Sequence, residues 1–288
     1  RAFLKVQDGC DYKCSFCTIP LARGKSRSNT ISNVIDNVHK IASENIKEIV
    51  LTGINLGDFG ANSNETIQYN FFDLIKELDK LDLSVRFRIS SIEPNLLSDE
   101  IIEFISTSKK FVNHFHIPLQ SGSDSVLKLM RRRYDSELYK SRIKRINRLI
   151  PDACIGADVI VGFPGEDDDK FLETMSFIED LDISYLHVFK YSERNNTHAV
   201  TLPNIVNSNI RSKRSKLLRL LSSRKKAAFY NKNIGTIHEV LFESEDKNGF
   251  IEGFSSNYVR FRTKWDSSLT GCLVESKFTE IDSEGFAT

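Results

Sequence analysis

Short apolar runs alternate with longer amphipathic stretches along the first two thirds of the chain. "AFLKV", "KEIVLTG", "VRFRISS", "FHIPLQS", "GADVIVGF" and "YLHVFKY" are brief and rich in β-branched or aromatic side chains, the pattern of strands. Between them, "SNVIDNVHKIASE", "NFFDLIKELDKL", "SDEIIEFISTS", "SDSVLKLMRR", "SELYKSRIKRINRLI" and "DKFLETMSFIEDL" carry apolar residues at helical spacing, several behind a Ser or Asp suited to cap a helix start. Such alternation implies parallel strands joined by right-handed crossovers, and six strands rather than eight predict an α/β fold built as a partial (β/α)6 barrel. After Tyr191 the pattern changes. A loop leads into a basic stretch, and from Ile234 the pieces "IHEVLFES", "GFIEGFSS", "YVRFRT" and "GCLVESKFTEI" are broken by Gly, Asn and Ser. They predict a small all-β barrel of five strands, of the general kind that binds oligonucleotides. The expected division is 1–230 for the barrel with its basic helix and 231–288 for the β module.

Composition adds limits. The chain is 288 residues long, 40% hydrophobic and 27% charged, with no apolar run of membrane-spanning length and no signal peptide ahead of its cysteines. A cytoplasmic location without membrane attachment is expected, and there thiols stay reduced. Residue 1 is Arg, directly before a strand, so the chain is expected to begin partway through a longer protein. The net charge of +1 hides segregation: nine Lys or Arg and no acid lie between Ile205 and Lys232. Such a block contacts phosphate backbones or covers a solvated helix face, and charge alone favours the second.

Three of the five cysteines, Cys10, Cys14 and Cys17, fall in "VQDGCDYKCSFCTIPLARGKSRS", just after the first strand. Barrel chemistry sits at the C-terminal ends of strands. Three thiolates spaced C-x3-C-x2-C can hold three irons of a 4Fe-4S cluster and leave the fourth iron open to a ligand. Structural zinc is the alternative, but it takes four ligands in paired knuckles and no second pair exists here. His114 and His116 alternate on one strand, and with no carboxylate or cysteine near in sequence they read as barrel packing. Cys154 and Cys272 read as small buried hydrophobes.

The C-x3-C-x2-C run resembles the signature of the radical S-adenosylmethionine superfamily. The flanking "CSFCTIPLARGKSRS", with "LTGINLGDFG", "RFRISSIEP", "HFHIPLQSGSDSVLKLMRRRY", "ADVIVGFPGE" and "HVFKYSER", resembles its methylthiotransferase branch over essentially the whole chain. "LTGINLGDFG" and "ISSIEP" are most similar to enzymes acting on threonylcarbamoyladenosine beside the tRNA anticodon, and the tail resembles a TRAM RNA-binding domain. The resemblance implies cluster ligands at Cys10, Cys14 and Cys17 and S-adenosylmethionine contacts at Phe16, Gly53, Asn55, Ser91, Glu93, Gln120, Ser121, Gly162, Phe163 and Pro164. One of Arg131, Arg132 and Arg133 is a candidate clamp for a carboxylate. It also implies tRNA as substrate, a flavodoxin- or ferredoxin-type electron donor, and a second 4Fe-4S cluster on an N-terminal domain that this sequence does not contain. No catalytic side chain is expected beyond the cofactors: a 5'-deoxyadenosyl radical would take hydrogen from adenine C2, which no acid or base here can activate.

Two departures stand out. "ERNNTHA" replaces the family's usual glycine-containing turn, leaving Asn195 or Asn196 to supply any left-handed residue. The sulfur-carrying domain is the other. The alternatives that stay open are a methylthiotransferase for isopentenyladenosine in tRNA or for a ribosomal protein, and a non-catalytic RNA-binding module with a structural metal.

Overall fold

The computed structural model describes residues 1–61, 69–246 and 248–288. In chain order its elements are β1 (Ala2–Lys5), β2 (Gln7–Asp8), α1 (Ile19–Arg23), β3 (Arg27–Ser28), α2 (Ile31–Ser43), β4 (Glu48–Thr52), α3 (Phe71–Asp79), β5 (Arg86–Ile89), α4 (Asp99–Thr107) and β6 (His114–His116). They continue with α5 (Asp124–Leu129), α6 (Ser136–Leu149), β7 (Cys154–Val161), α7 (Asp168–Asp180), β8 (Tyr185–Lys190), α8 (Ser208–Lys232), β9 (Ile237–Asp246), β10 (Phe250–Ser255), β11 (Arg260–Lys264) and β12 (Leu273–Lys277).

All six expected strands form and lie parallel. β1 pairs with β4 and β4 with β5, while β6 pairs with β7 and β7 with β8. A single parallel bridge, Phe87 to Phe111, joins the two halves into one curved wall. The helices cover its outer face, and their starts are set locally. Thr30, Asn70, Ser98, Asp135 and Asp167 each accept the N–H of the third residue after them, filling an otherwise orphaned donor. Ile49, Leu51, Phe87, Ile89, Phe115, Ile155, Ala157 and Val159 then meet the helices in one buried core. Because side chains alternate across a strand, the residues between them face the barrel interior: Glu48, Arg86, Arg88, His114, His116, Cys154, Asp158, Tyr185 and His187.

The wall is open between β1 and β8. Helix α8 packs along the free edge of β8, where Ser222 Oγ accepts the Leu186 N–H at 2.9 Å and donates to the Leu186 carbonyl at 3.1 Å. The basic block is therefore not one solvated stripe. Arg211 is buried on Glu193 and the Tyr191 carbonyl, and Arg214 on Glu166 and Asp168. Lys213, Lys216, Arg219, Arg224 and Lys226 remain exposed.

The tail is a curled antiparallel sheet in the order β11-β10-β9-β12. Instead of a fifth strand, isolated bridges tie Ala287 to Phe261 and Ile281. The sheet closes the lower, N-terminal end of the barrel through arginines of β5. Arg86 donates to the Glu239 and Phe254 carbonyls at 3.0 Å each, and Arg88 to the Ser255 carbonyl at 3.4 Å. Both arginines, with Arg1, converge on Glu48, which is fully buried. Burial pushes the Glu48 carboxyl up, but Arg88, Arg86 and Arg1 outweigh it and hold it at about 2. Asn196 takes the left-handed conformation at φ 66°, so the unusual Asn-Asn loop turns without glycine. Cys154 is buried as expected, whereas Cys272 is half-exposed in a turn, its thiol facing the Ser268 carbonyl.

Candidate active site

The cysteine loop leaves the small hairpin of β2 and β3 at the upper, C-terminal end of the barrel. Gly9 makes the departure possible. Its φ is 70°, and a Cβ there would lie 2.0 Å from the Lys25 carbonyl oxygen. The loop is then pinned from two sides: the Ser15 N–H and hydroxyl bond the Met130 and Leu129 carbonyls, and the Ala199 N–H bonds the Ser15 carbonyl at 2.7 Å. Cys10, Cys14 and Cys17 are all unbridged and partly exposed.

Each of the three sulfurs receives a nitrogen donor. The Tyr12 N–H meets Cys10 Sγ at 3.4 Å, the Ile19 N–H meets Cys17 Sγ at 3.4 Å, and the Arg132 guanidinium meets Cys14 Sγ at 3.1 Å. Burial raises the bare Cys10 thiol to about 11 and lifts Cys14 as well, so metal binding has to supply the deprotonation. The donor set also discriminates between metals. A single zinc ion holds its sulfurs at about 2.3 Å and so within about 4 Å of one another. Among the described residues, His116, Asp158 and His187 are the one trio whose ligand atoms all lie within 4.8 Å, and the three cysteines do not meet that limit. The three sulfurs thus do not converge on one point, as the ligands of a single bound ion would.

Arg132 is the one of the three arginines that meets a cysteine of the loop. Besides Cys14 it pairs with Glu93, and its Nε donates to the Tyr134 hydroxyl at 3.2 Å. Arg131 ends α5 at φ 57°, and Arg133 lies over the Tyr12 ring. Nearby, Gly53 follows β4 where a Cβ would lie 3.0 Å from Gln7 Oε1, which accepts the Ile54 and Asn55 N–H groups at 2.9 Å. Asn55 is buried, donates to Asp58, and leaves its own Oδ1 without a partner. Ser91 is half-buried beyond β5.

A cavity of about 190 Å³ opens beside the loop, lined by Phe16, Cys17, Gln120, Asp158, Ile160 and Phe189 among others. Phe16 meets Phe163 edge-on at 6.1 Å, and Phe163 meets Tyr191 at 5.3 Å, so Phe163 supports the cavity from behind, while Pro164 is buried next to it in the chain and does not line the cavity. Gln120 enters from an irregular turn at φ 64°. Ser121 points elsewhere: its hydroxyl is 3.1 Å from Thr174 of α7 and accepts the Ser123 N–H, so it holds the turn and leaves the cavity to Gln120. Gly162 also serves packing, since at φ 74° a Cβ would lie 2.2 Å from Arg211 Cγ. Asp158 and His187 were missed in the sequence. They stand beside His116, with His116 Nε2 3.0 Å from Asp158 Oδ1 and the His116 and His187 rings 5.3 Å apart.

Half-buried thiols with aimed donors, a neighbouring cavity at the strand ends and a six-stranded open barrel form one arrangement. The Radical SAM superfamily profile matches residues 4–178, more than half the chain. The chain belongs to the radical SAM superfamily. Its barrel is similar to those of the radical S-adenosylmethionine methyltransferase TsrM from Kitasatospora setae, at 16% identity and TM-score 0.54 over 66% of this chain and 34% of that one, and of coproporphyrinogen III oxidase from Escherichia coli. The latter covers 80% of this chain and 52% of its own length at 14% identity and TM-score 0.52. In sequence, this radical SAM chain is 40% identical over 283 residues to the threonylcarbamoyladenosine tRNA methylthiotransferase of Bacillus subtilis, spanning 96% of this chain and 62% of the relative. It is 33% identical over 282 residues to the tRNA-2-methylthio-N(6)-dimethylallyladenosine synthase of Bacillus pumilus, covering 97% of this chain and 55% of that one. The chain thus spans just over half the length of these relatives.

Proposed function

We propose that the chain is the radical-generating and RNA-binding portion of a tRNA methylthiotransferase acting on threonylcarbamoyladenosine next to the anticodon. The observation that carries this is the set of three sulfurs on one loop at the strand ends, each with its own N–H donor. The 40% identity to a threonylcarbamoyladenosine enzyme against 33% to a dimethylallyladenosine enzyme supports the substrate.

Cys10, Cys14 and Cys17 would hold a 4Fe-4S cluster, and Phe16, Gly53, Asn55, Ser91, Glu93, Gln120 and Arg132 would hold S-adenosylmethionine. Bound together, the two supply a 5'-deoxyadenosyl radical. The chain's residues would position the ligand: Arg132 sits against Cys14 and Glu93, Asn55 offers an unpaired oxygen, and Phe16 and Tyr191, backed by Phe163, give the cavity one aromatic wall. In this reading residues 231–288 act as a TRAM-like RNA-binding module beside the exposed lysines of α8, residues 1–230 carry the chemistry, and a flavodoxin- or ferredoxin-type protein donates electrons. Such an enzyme works in the cytoplasm. Among the described residues no helix is long and apolar enough to cross a membrane.

Anaerobic reconstitution with iron and sulfide tests the proposal. The 288-residue chain should take up about four irons and four sulfides and convert S-adenosylmethionine to 5'-deoxyadenosine under reduction. By itself it should not make the methylthio nucleoside, because its remaining cysteines, Cys154 and Cys272, stand apart from the loop and from each other. Stoichiometric zinc without sulfide would overturn the reading in favour of a structural metal.

A further inference from the structure

A second cavity, of about 260 Å³, lies lower in the lumen between β8, α8 and the β sheet. Pockets for drug-sized ligands start near ~300 Å³, so this one suits a smaller group. Its walls are flat. Tyr258 is itself stacked by His114 at 4.2 Å and by Phe254 at 4.9 Å, and it lies near-parallel to Tyr185 at 6.4 Å, so Tyr185 is the ring with a face left to the cavity. Lys226 lies over the Tyr230 ring at 5.0 Å, and Arg260 reaches in beside Phe254. Arg260 has a partner in Glu252, 2.9 Å away, but no aspartate or glutamate lines the cavity itself. Lys226 stays exposed at its outer side, but its partial desolvation by the cavity wall, with Arg260 nearby, pulls the ammonium below the usual lysine range. At the back, burial raises the Cys154 thiol to about 12 and keeps it neutral.

The two cavities are stacked along the same strands. His187 lines the lower one, and its ring lies 5.3 Å from His116, which holds Asp158 in the wall of the upper one. Tyr185 lines the lower cavity and Phe189 the upper. At about 3.3 Å per residue these side chains are separated by on the order of 13 Å, comparable to an adenine with an extended N6 substituent.

We infer that the lower cavity receives the carboxylate-bearing N6 substituent of the modified adenine, its planar carbamoyl group against Tyr185 and its carboxylate between Lys226 and Arg260. The adenine then extends past His187 toward Cys17. This rests on the proposed action on threonylcarbamoyladenosine and adds to it how that base is told from one with an apolar substituent. A dimethylallyl group would fill the cavity but offer no anion to Lys226 or to the free face of the Arg260 guanidinium, so the two substituents differ by a charged contact and not by a methylene alone.

The test is the affinity of the full 288-residue chain for three synthetic anticodon stem–loops at one salt concentration, read by fluorescence anisotropy. The stem–loops differ only in the target base: threonylcarbamoyladenosine, plain adenosine or dimethylallyladenosine. The carbamoyl form should bind at least about tenfold more tightly than the other two. Lys226→Met and Arg260→Met should each bring that ratio close to one. Lys226 is exposed and changes little in the fold, so it keeps the test valid should the Arg260 variant unfold. Equal affinity for all three RNAs, or an unchanged ratio in Lys226→Met, overturns the inference and leaves the methylthiotransferase reading standing. Failure to bind any of the three overturns both.

Discussion

At the lower end of the barrel Glu48 is met by three arginines and sealed under the β sheet, whereas at the upper end three sulfurs are met by single N–H donors and stay partly exposed. Both sets come from residues at or next to the barrel strands. The lower set uses its charges against one another and against backbone carbonyls, which fixes the β sheet to the barrel. Both ends keep buried polar atoms without a partner, Arg1 Nη2 and Arg88 Nη1 below and Asn55 Oδ1 above. The difference lies in what the charged groups face: below, the arginines meet a buried carboxylate and backbone carbonyls, which tie two sheets together, whereas above, Arg132 is directed at a thiol on a partly exposed loop.

The largest way to break this contrast is at the upper end. Cys14→Ala removes one of three available ligands, and iron content together with S-adenosylmethionine cleavage should fall below detection while the unfolding midpoint of the metal-free chain stays within a few degrees. Cys154→Ala and Cys272→Ala should leave iron uptake intact. A Cys14→Ala protein that holds a full cluster with turnover would remove the site from this loop.

Next comes the lower end. Glu48→Gln leaves Arg1, Arg86 and Arg88 facing a neutral group in a buried place, and breaking a buried ion pair from one side costs about 3 to 5 kcal/mol. Denaturant unfolding should show that loss, with iron uptake of the still-folded protein unchanged. The same carboxyl sets an acid dependence. Its folded value of about 2 lies below the ordinary 4.5, so its contribution is fully present above pH 4.5 and disappears as pH falls toward 2. The shift corresponds to roughly 3 kcal/mol. The wild-type chain should lose that much more stability across this window than Glu48→Gln does, and parallel acid profiles would show that the arginines do not hold Glu48 down.

The sequence made the barrel and the cysteine loop legible for different reasons than it hid the rest. Strand and helix periods are local, so "VRFRISS" and "GADVIVGF" announced β5 and β7, and C-x3-C-x2-C lies within eight residues. The His116–Asp158–His187 trio was hidden because its members are 42 and 29 residues apart and meet only once neighbouring strands align. The β2–β3 hairpin was too short to show a period. On α8, Arg211 and Arg214 look like Lys213 and Lys216 in the sequence but turn inward to Glu193 and Glu166, partners that lie 18 and 48 residues away. Ser121, placed by its neighbours' motif, follows the same rule, because Thr174 claims its hydroxyl from another helix.

The smallest expected effect lies on the wall between the two ends. β8 is an edge strand, and its Leu186 is nearly buried, so its N–H and carbonyl have no strand partner on the open side and little water. Ser222 meets both from α8, at 2.9 and 3.1 Å, in place of the missing strand. Ser222→Ala removes one hydroxyl and leaves a buried N–H without an acceptor, a loss of about 1 to 2 kcal/mol. Hydrogen exchange should locate it: the Leu186 amide should lose protection while Val159 and Leu51, inside the two halves of the wall, keep theirs. Cluster assembly should be unaffected, because the sulfur donors come from Tyr12, Ile19 and Arg132 and none of them leans on this edge. Equal loss of protection at Leu186, Val159 and Leu51 would mean that the barrel opens as one unit and that the contrast between its ends carries no difference in local stability.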